Sequence, residues 1–195
     1  MHKEHVIIPH YSRRVHVTYC YNAPLTPPAT TILLIIDSLD GDKLFNAELI
    51  QSLADQNYLV CVYDVALQDD RDIIKTDIPR EINTIITDII IQPDCDHHQL
   101  YLIACDQPAG WLLCDVFDHS SVSKITLINP SVCDIDRPSW INTWKQPLLL
   151  IHQDPTWIAS MSIKPNPDFT IAIAPLDTIK TILNYHKTNG NNHMN

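Results

Sequence analysis

The sequence predicts an α/β fold: a mostly parallel central sheet with helices on both faces and an N-terminal antiparallel β-hairpin. Three observations carry that expectation. Short runs such as TTILLII (residues 30–36) and YLVCVYDV (residues 58–65) are almost wholly apolar and rich in β-branched residues, as a strand buried on both faces requires. Segments with apolar residues at helical spacing alternate with those runs, the order of βα units in a parallel sheet. The first two strand-like segments enclose only the short turn 10–13, which makes an antiparallel edge.

Each element follows from its own pattern. Residues 5–9 and 14–22 form the hairpin. In the second strand Val15, Val17 and Tyr19 alternate with His16, Thr18 and Cys20, the two-residue period of a half-buried strand. A proline-rich connector, 24–28, leads into strand 30–36, which stops at the polar loop DSLDGD. Leu44, Ala47, Ile50, Leu53 and Ala54 make residues 43–56 a helix. Strand 58–65 follows. Ile78, Ile82, Ile85, Ile86 and Ile89 form one helical stripe, with Pro79 expected in its first turn and Asp77 as a nearby cap. Strand 100–105, a short helix 109–117, strands 124–129, 147–152 and 169–174, and a closing helix 177–187 complete the order.

Composition bounds the rest. The 195 residues fit one domain, 1–195, with 1–28 as hairpin and connector and 188–195 as a polar tail. Hydrophobic residues make up 45% and charged residues 18%, which excludes a disordered chain. The only glycines are Gly41, Gly110 and Gly190, so neither G-x-G-x-x-G nor G-x-x-x-x-G-K-[ST] can be written. Nucleotide binding by either loop is excluded, and no cofactor is expected. Lysine and arginine total 13 against 23 acids, a net charge of −10 with no basic stripe. Nucleic acids and anionic membrane surfaces are therefore excluded as partners. No apolar run approaches the roughly 20 residues of a membrane span, and the polar N-terminus lacks the apolar region of a signal peptide. A cytoplasmic location is expected. The six cysteines are scattered without a C-x-x-C pair and read as small buried hydrophobes rather than disulfides.

The order of elements and several local segments resemble the α/β-hydrolase family. TTILLIIDSLDGD is similar to that family's third strand and oxyanion-hole loop, and NYLVCVYDV to its next strand, which commonly ends in aspartate. LYLIACDQPAGWLL stands where the strand, nucleophile elbow and helix belong. QPLLLIHQDPTW resembles the segment with the catalytic acid, and FTIAIAPLDTIKTI the last strand and the histidine loop.

Every signature residue is changed. The elbow pattern G-x-S-x-G is matched by Ala104-Cys105-Asp106-Gln107-Pro108. The tight turn needs small neighbours and a central residue that accepts positive φ. Ala104 is small, Asp106 tolerates that backbone, and Pro108 suits a first helical turn, so the turn can survive without the serine. Asp106 then has two readings. It is a carboxylate nucleophile, as in the haloalkane dehalogenases and epoxide hydrolases of this fold, or a turn residue capping the helix. The first needs a base to activate water. The histidine position is filled by Asp177, better suited to an N-cap, and His186 is more than two helical turns further on. The acid position is matched by Asp154, which suits an Asx turn before Pro155. Asp37, Asp40 and Asp42 crowd the loop that should aim positive dipoles at an oxyanion. His119 and His152 are the remaining candidate bases.

Other constellations are weaker. Asp94-Cys95-Asp96-His97-His98 holds five possible metal ligands but reads as a polar loop, because adjacent residues rarely wrap one metal and no partner pair lies at zinc spacing. No metal is expected. Cys105 as a thiol nucleophile sits one residue before the elbow centre and should face away. Only a short stretch separates Asn129 from Pro147, so no lid domain and no deep pocket are implied. Trp140, Trp144 and Trp157 cluster around that rim and form a candidate interaction surface. With no catalytic residue expected at Asp106, Asp154 or Asp177, the implied protein is a non-catalytic subunit that binds a protein partner. The alternative is a small hydrolase of esters, epoxides or haloalkanes using Asp106. Assembly with further copies of the chain stays open.

Overall fold

The computed structural model describes residues 1–11, 13–25, 27–39, 41–68, 71–115, 119–131, 146–156, 169–173 and 177–188. One eight-stranded sheet organises them, in the order β1-β2-β4-β3-β5-β6-β7-β8. The strands are β1 (His2–His10), β2 (Arg13–Tyr21), β3 (Ala29–Ile36), β4 (Leu59–Asp64), β5 (Cys95–Cys105), β6 (Val122–Ile128), β7 (Leu148–His152) and β8 (Phe169–Ile173). The β1/β2 and β2/β4 pairs are antiparallel. All pairs from β4 to β8 are parallel.

Two cores flank this sheet. On one face Ile78, Ile82, Ile85, Ile86 and Ile89 of α2 (Arg71–Ile91) and Ala109, Leu112 and Leu113 of α3 (Asp106–Asp115) pack on Leu33, Tyr63, Leu102 and Leu127. On the other, Leu49 and Leu53 of α1 (Lys43–Asp55) and Ile182 of α4 (Thr178–Thr188) pack on Ile32, Leu34, Ile103 and Ile151. Each leucine or isoleucine among them contributes about 1.5–3 kcal/mol on burial. The central strands are apolar throughout because both faces are covered. The hairpin is tied to α2 by His10 Nδ1 and Thr84 Oγ1 at 2.7 Å and by Arg13 with Glu81 at 3.2 Å. Among the described residues no helix is long and apolar enough to cross a membrane.

Three boundaries correct the sequence pattern. Helix α2 begins at Arg71, so Pro79 lies inside it rather than in its first turn. Proline carries a helical φ and forfeits one hydrogen bond to the preceding turn, and the buried isoleucines after it hold the helix in place. Strand β5 begins at Cys95, so 95–98 are strand and not a polar loop. Cys95 is buried and pairs with Ala29, and a register shift lets the ladder resume at Leu100. Helix α3 begins at Asp106, three residues earlier than its apolar pattern.

Candidate functional site

From β3 the chain moves to β4 through α1, then returns through α2 to β5 on the other side of β3. In an open parallel sheet, ligands bind at such a switch point, outside the carboxyl ends of the strands. Here that crevice lies between the loop after β3 and the turn after β5.

The turn after β5 has the geometry of a nucleophile elbow. Strand becomes helix at Asp106, whose φ is 56°. Aspartate is among the few residues that visit this region at modest cost. Close approach within the turn is provided by Gly110, one turn into α3. A Cβ there would stand 2.2 Å from the Ser131 carbonyl oxygen, and the Ser131 amide donates to the Asp106 carbonyl at 3.3 Å. The glycine requirement has moved from the elbow's flanks to the seat of its helix.

The loop after β3 spends its amides internally. The Ser38 amide donates to Asp64 Oδ1 at 3.0 Å and the Leu39 amide to Asp37 Oδ1 at 3.1 Å. The Gly41 amide donates to the Asp37 carbonyl at 2.7 Å. The Asp42 amide donates to the Asp106 carboxylate, and Asp42 Oδ1 caps α1 through the Phe45 amide at 3.0 Å. A hydrolase leaves such N–H groups pointing at the reacting oxygen. Here the elbow carboxylate itself occupies the Asp42 donor.

Two cavities flank Asp106. One, of about 260 Å³, is lined by Asp37, Gly41, Asp106, Gln107 and Ser131. The other, of about 120 Å³, lies between Asp42, Phe45, Asn129, Gln153 and Thr178, over Cys105. Burial pushes the Asp106 carboxyl above the usual carboxylate range. The Asp42 amide opposes that rise, and the Asp42 and Asp37 charges add to it. Burial also pushes up the thiol of Cys105, which is 1% exposed and suited to neither nucleophile nor ligand.

No histidine among the described residues lines either cavity. His119 precedes β6, at the amino end of the sheet, about 20 Å of strand away from the elbow. His152 ends β7, two strands from β5 and so about 10 Å away. Its Nδ1 meets the Asp154 amide at 2.9 Å. Asp154 Oδ1 accepts from the amide and hydroxyl of Thr156, an Asx turn. Asp177 caps α4 by accepting the Lys180 amide at 2.9 Å. His186 lies deep in the second core, 3.1 Å from Thr126 Oγ1 and stacked on Tyr101. Burial and the Lys124 charge pull its pKa down to about 3, so it stays neutral. His2, His5, His10 and His16 belong to the hairpin, and 97–98 open β5 at its amino end. His193 lies outside the described residues, as do Trp140, Trp144, Trp157 and Asp40.

Cys95 is buried in the first core, and Asp96 Oδ1 accepts the His98 amide at 2.9 Å. Among the described residues no cluster of three or more His, Cys, Asp or Glu side chains could hold a metal. Ser131 and Gln153 carry no signal in the sequence, whereas Asp64 stands out as the aspartate that ends its strand. Asn129 carries a local signal as a strand-end asparagine; its φ is 46° and its Oδ1 holds the Gln153 amide at 3.0 Å.

No protein-family model matches the chain, and no curated protein matches it in sequence. Solved structures do match in three dimensions. Est1E from Butyrivibrio proteoclasticus is 9% identical with a TM-score of 0.72, covering 94% of this chain and 96% of its own. The Pyrococcus furiosus esterase Pf2001 is 10% identical with a TM-score of 0.72, over 95% of this chain and 89% of its own. The esterase domain of a Rhodothermus marinus protein is 13% identical with a TM-score of 0.66, over 88% and 86%. Identities this low speak to architecture alone. The chain has the α/β-hydrolase fold, with its strand-to-helix elbow at Asp106.

Proposed function

We propose that this chain is a non-catalytic protein of hydrolase fold that serves as a protein-binding or structural subunit of a complex. The observation that carries the proposal is the internal use of the loop amides. The Ser38, Leu39, Gly41 and Asp42 amides each have an acceptor within the chain, and the Asp42 amide is held by the elbow carboxylate. An oxyanion hole assembled from these groups would have to break those bonds first, at a cost comparable to what the hole supplies. No histidine among the described residues lines the two cavities, which supports the same reading, because a carboxylate nucleophile also needs a base for its second step. Trp140, Trp144 and Trp157 remain the proposed contact residues for a partner protein.

A second reading is favoured by one observation. The positive φ at Asp106 brings its carboxylate to both cavities, the place a nucleophile would take in a hydrolase of esters, epoxides or haloalkanes. The two readings part on a turnover assay. Wild type and Asp106→Ala are incubated with a short-chain aryl ester, an aryl epoxide and a primary haloalkane. The proposal expects both to match buffer. Turnover by wild type that Asp106→Ala abolishes refutes it. Purification from the native source is expected to yield a stoichiometric protein partner.

A further inference from the structure

The outer hairpin carries two histidines on a sheet face of their own. In β2, Val15, Val17 and Tyr19 face the first core, so His16 and Thr18 face the other side. The register sets His5 opposite Thr18 and Ile7 opposite His16, which makes His5 and His16 diagonal neighbours. Their rings lie 5.4 Å apart at 26°, and His5 Nε2 is 3.2 Å from His16 Nδ1. His5 Nδ1 lies 3.4 Å from Thr18 Oγ1. The His16 backbone is clamped by Gln68, which accepts its amide at 2.9 Å and donates to its carbonyl at 3.0 Å.

This geometry is close to that of a chelating pair. Zinc binds imidazole nitrogen at about 2.0–2.1 Å in tetrahedral sites, which places two such nitrogens about 3.3–3.4 Å apart. The nitrogen separation is within a few tenths of an ångström of that value, and the rings must also turn so that both lone pairs meet at the ion rather than face each other. A ligating histidine also tends to hold its other ring nitrogen on a fixed partner, and Thr18 stands at that position for His5. The ladder and the Gln68 clamp remove most of the backbone freedom that chelation would otherwise have to freeze.

We propose that His5 and His16 form a two-histidine site for a divalent transition-metal ion of the zinc type, with Thr18 as a positioning residue. Imidazole suits zinc and copper rather than magnesium or calcium, which prefer oxygen. No third His, Cys, Asp or Glu joins the pair among the described residues, so water completes the shell. Metal entry displaces the hydrogen between the two ring nitrogens, and each neutral ring keeps its one N–H on the nitrogen away from the ion, His5 on Nδ1 facing Thr18 Oγ1. The site lies on the outer hairpin, apart from Asp106, and stands or falls independently of the reading of that elbow.

The test is a titration of the full chain with Zn²⁺ alone, followed by nitrogen-15 spectra of the histidine rings. His5 Nε2 and His16 Nδ1 are expected to shift together and saturate at one ion, while Mg²⁺ moves neither. His16→Ala is expected to weaken the His5 response at least ten-fold, and His5→Ala to do the same to His16. Thr18→Val should weaken binding by about ten-fold with both rings still responding. Amide spectra of each variant verify the fold, and His16→Gln replaces His16→Ala if the latter misfolds. Undiminished His5 binding in the His16 variant, a response confined to one ring or to other histidines, or an equal response to Mg²⁺ would overturn the proposal.

Discussion

Gly110→Ala is the perturbation whose sign the structure decides most sharply. In an open helical position this change stabilises by about 1 kcal/mol, because alanine is the better helix former. At Gly110 the added methyl would lie 2.2 Å from the Ser131 carbonyl oxygen, 3.1 Å from its Oγ and 3.3 Å from its carbonyl carbon. Ordinary contact begins at 3.4 Å, so α3 and residue 131 must part by about 1 Å at the closest atom. The nearest clashing atom is backbone, which cannot swing aside. Overpacking of this kind costs about 1–3 kcal/mol and sometimes more. A backbone clash this close belongs to the upper part of that range, about 2–3 kcal/mol, and less the gain of about 1 kcal/mol it leaves a destabilisation of about 1–2 kcal/mol, a melting temperature about 2–8 °C lower for a chain of this size. Thermal unfolding followed by circular dichroism measures the first quantity. Hydrogen exchange at the Ser131 amide measures the second, because its bond to the Asp106 carbonyl must lengthen and its protection fall. A melting temperature equal to or above wild type would refute the close seating of α3 and with it this account of the elbow.

Four further outcomes follow from the same structure. Asp106→Asn keeps an acceptor for the Asp42 amide and a residue that tolerates positive φ. The folded carboxyl titrates above its unfolded range, so its favourable contribution is present at acid pH and lost as pH rises through the folded value. The variant should therefore melt higher than wild type near neutrality, with the gain vanishing in acid; a constant offset across pH would contradict this. Glu81→Ala breaks a buried cluster in which Glu81 accepts from the Tyr63 hydroxyl and pairs with Arg13, and denaturant unfolding should show a loss of about 3 kcal/mol. Lys124, buried against Tyr101 and Tyr185 with its ammonium on the last carbonyls of α4, should titrate at about 8 by carbon-13 NMR, well below exposed lysines. Because that value is depressed, the stability it contributes is lost as pH falls through about 8. Asp177→Ala should cost about 1 kcal/mol as a lost helix cap, while Asp177→Asn should cost little by the same melts.

What could be read in the sequence was what neighbours along the chain determine. The central strands were legible because burial on both faces leaves nothing polar in them, and the hairpin because Val15, Val17 and Tyr19 alternate with polar partners. The survival of the elbow's turn was legible from Ala104 and Asp106. Pro79 misdirected the start of α2 because its helical φ serves a helix interior as well as a first turn, and only packing decides between them. Cys95 to His98 looked like a loop because its polar residues conceal a strand held by Ala29 across the sheet. The state of the loop after β3 was only half legible. Its aspartates signalled a poor oxyanion hole, but that Asp64 takes the Ser38 amide and Asp106 the Asp42 amide depends on contacts distant in sequence. The close seating of Gly110 against residue 131 is a contact of the same kind.

The central claim is that Asp106 sits at a hydrolase elbow without acting as a nucleophile, and isotope transfer tests it most directly. A carboxylate nucleophile displaces halide from a haloalkane or opens an epoxide to form an ester, and water attacking that ester's carbonyl leaves its own oxygen on the aspartate while the alcohol departs. Excess protein is incubated with the epoxide and the haloalkane in oxygen-18 water, and the peptide containing Asp106 is weighed by mass spectrometry. The account predicts no label beyond that in a control without substrate. Substrate-dependent oxygen-18 in the Asp106 carboxyl would contradict it.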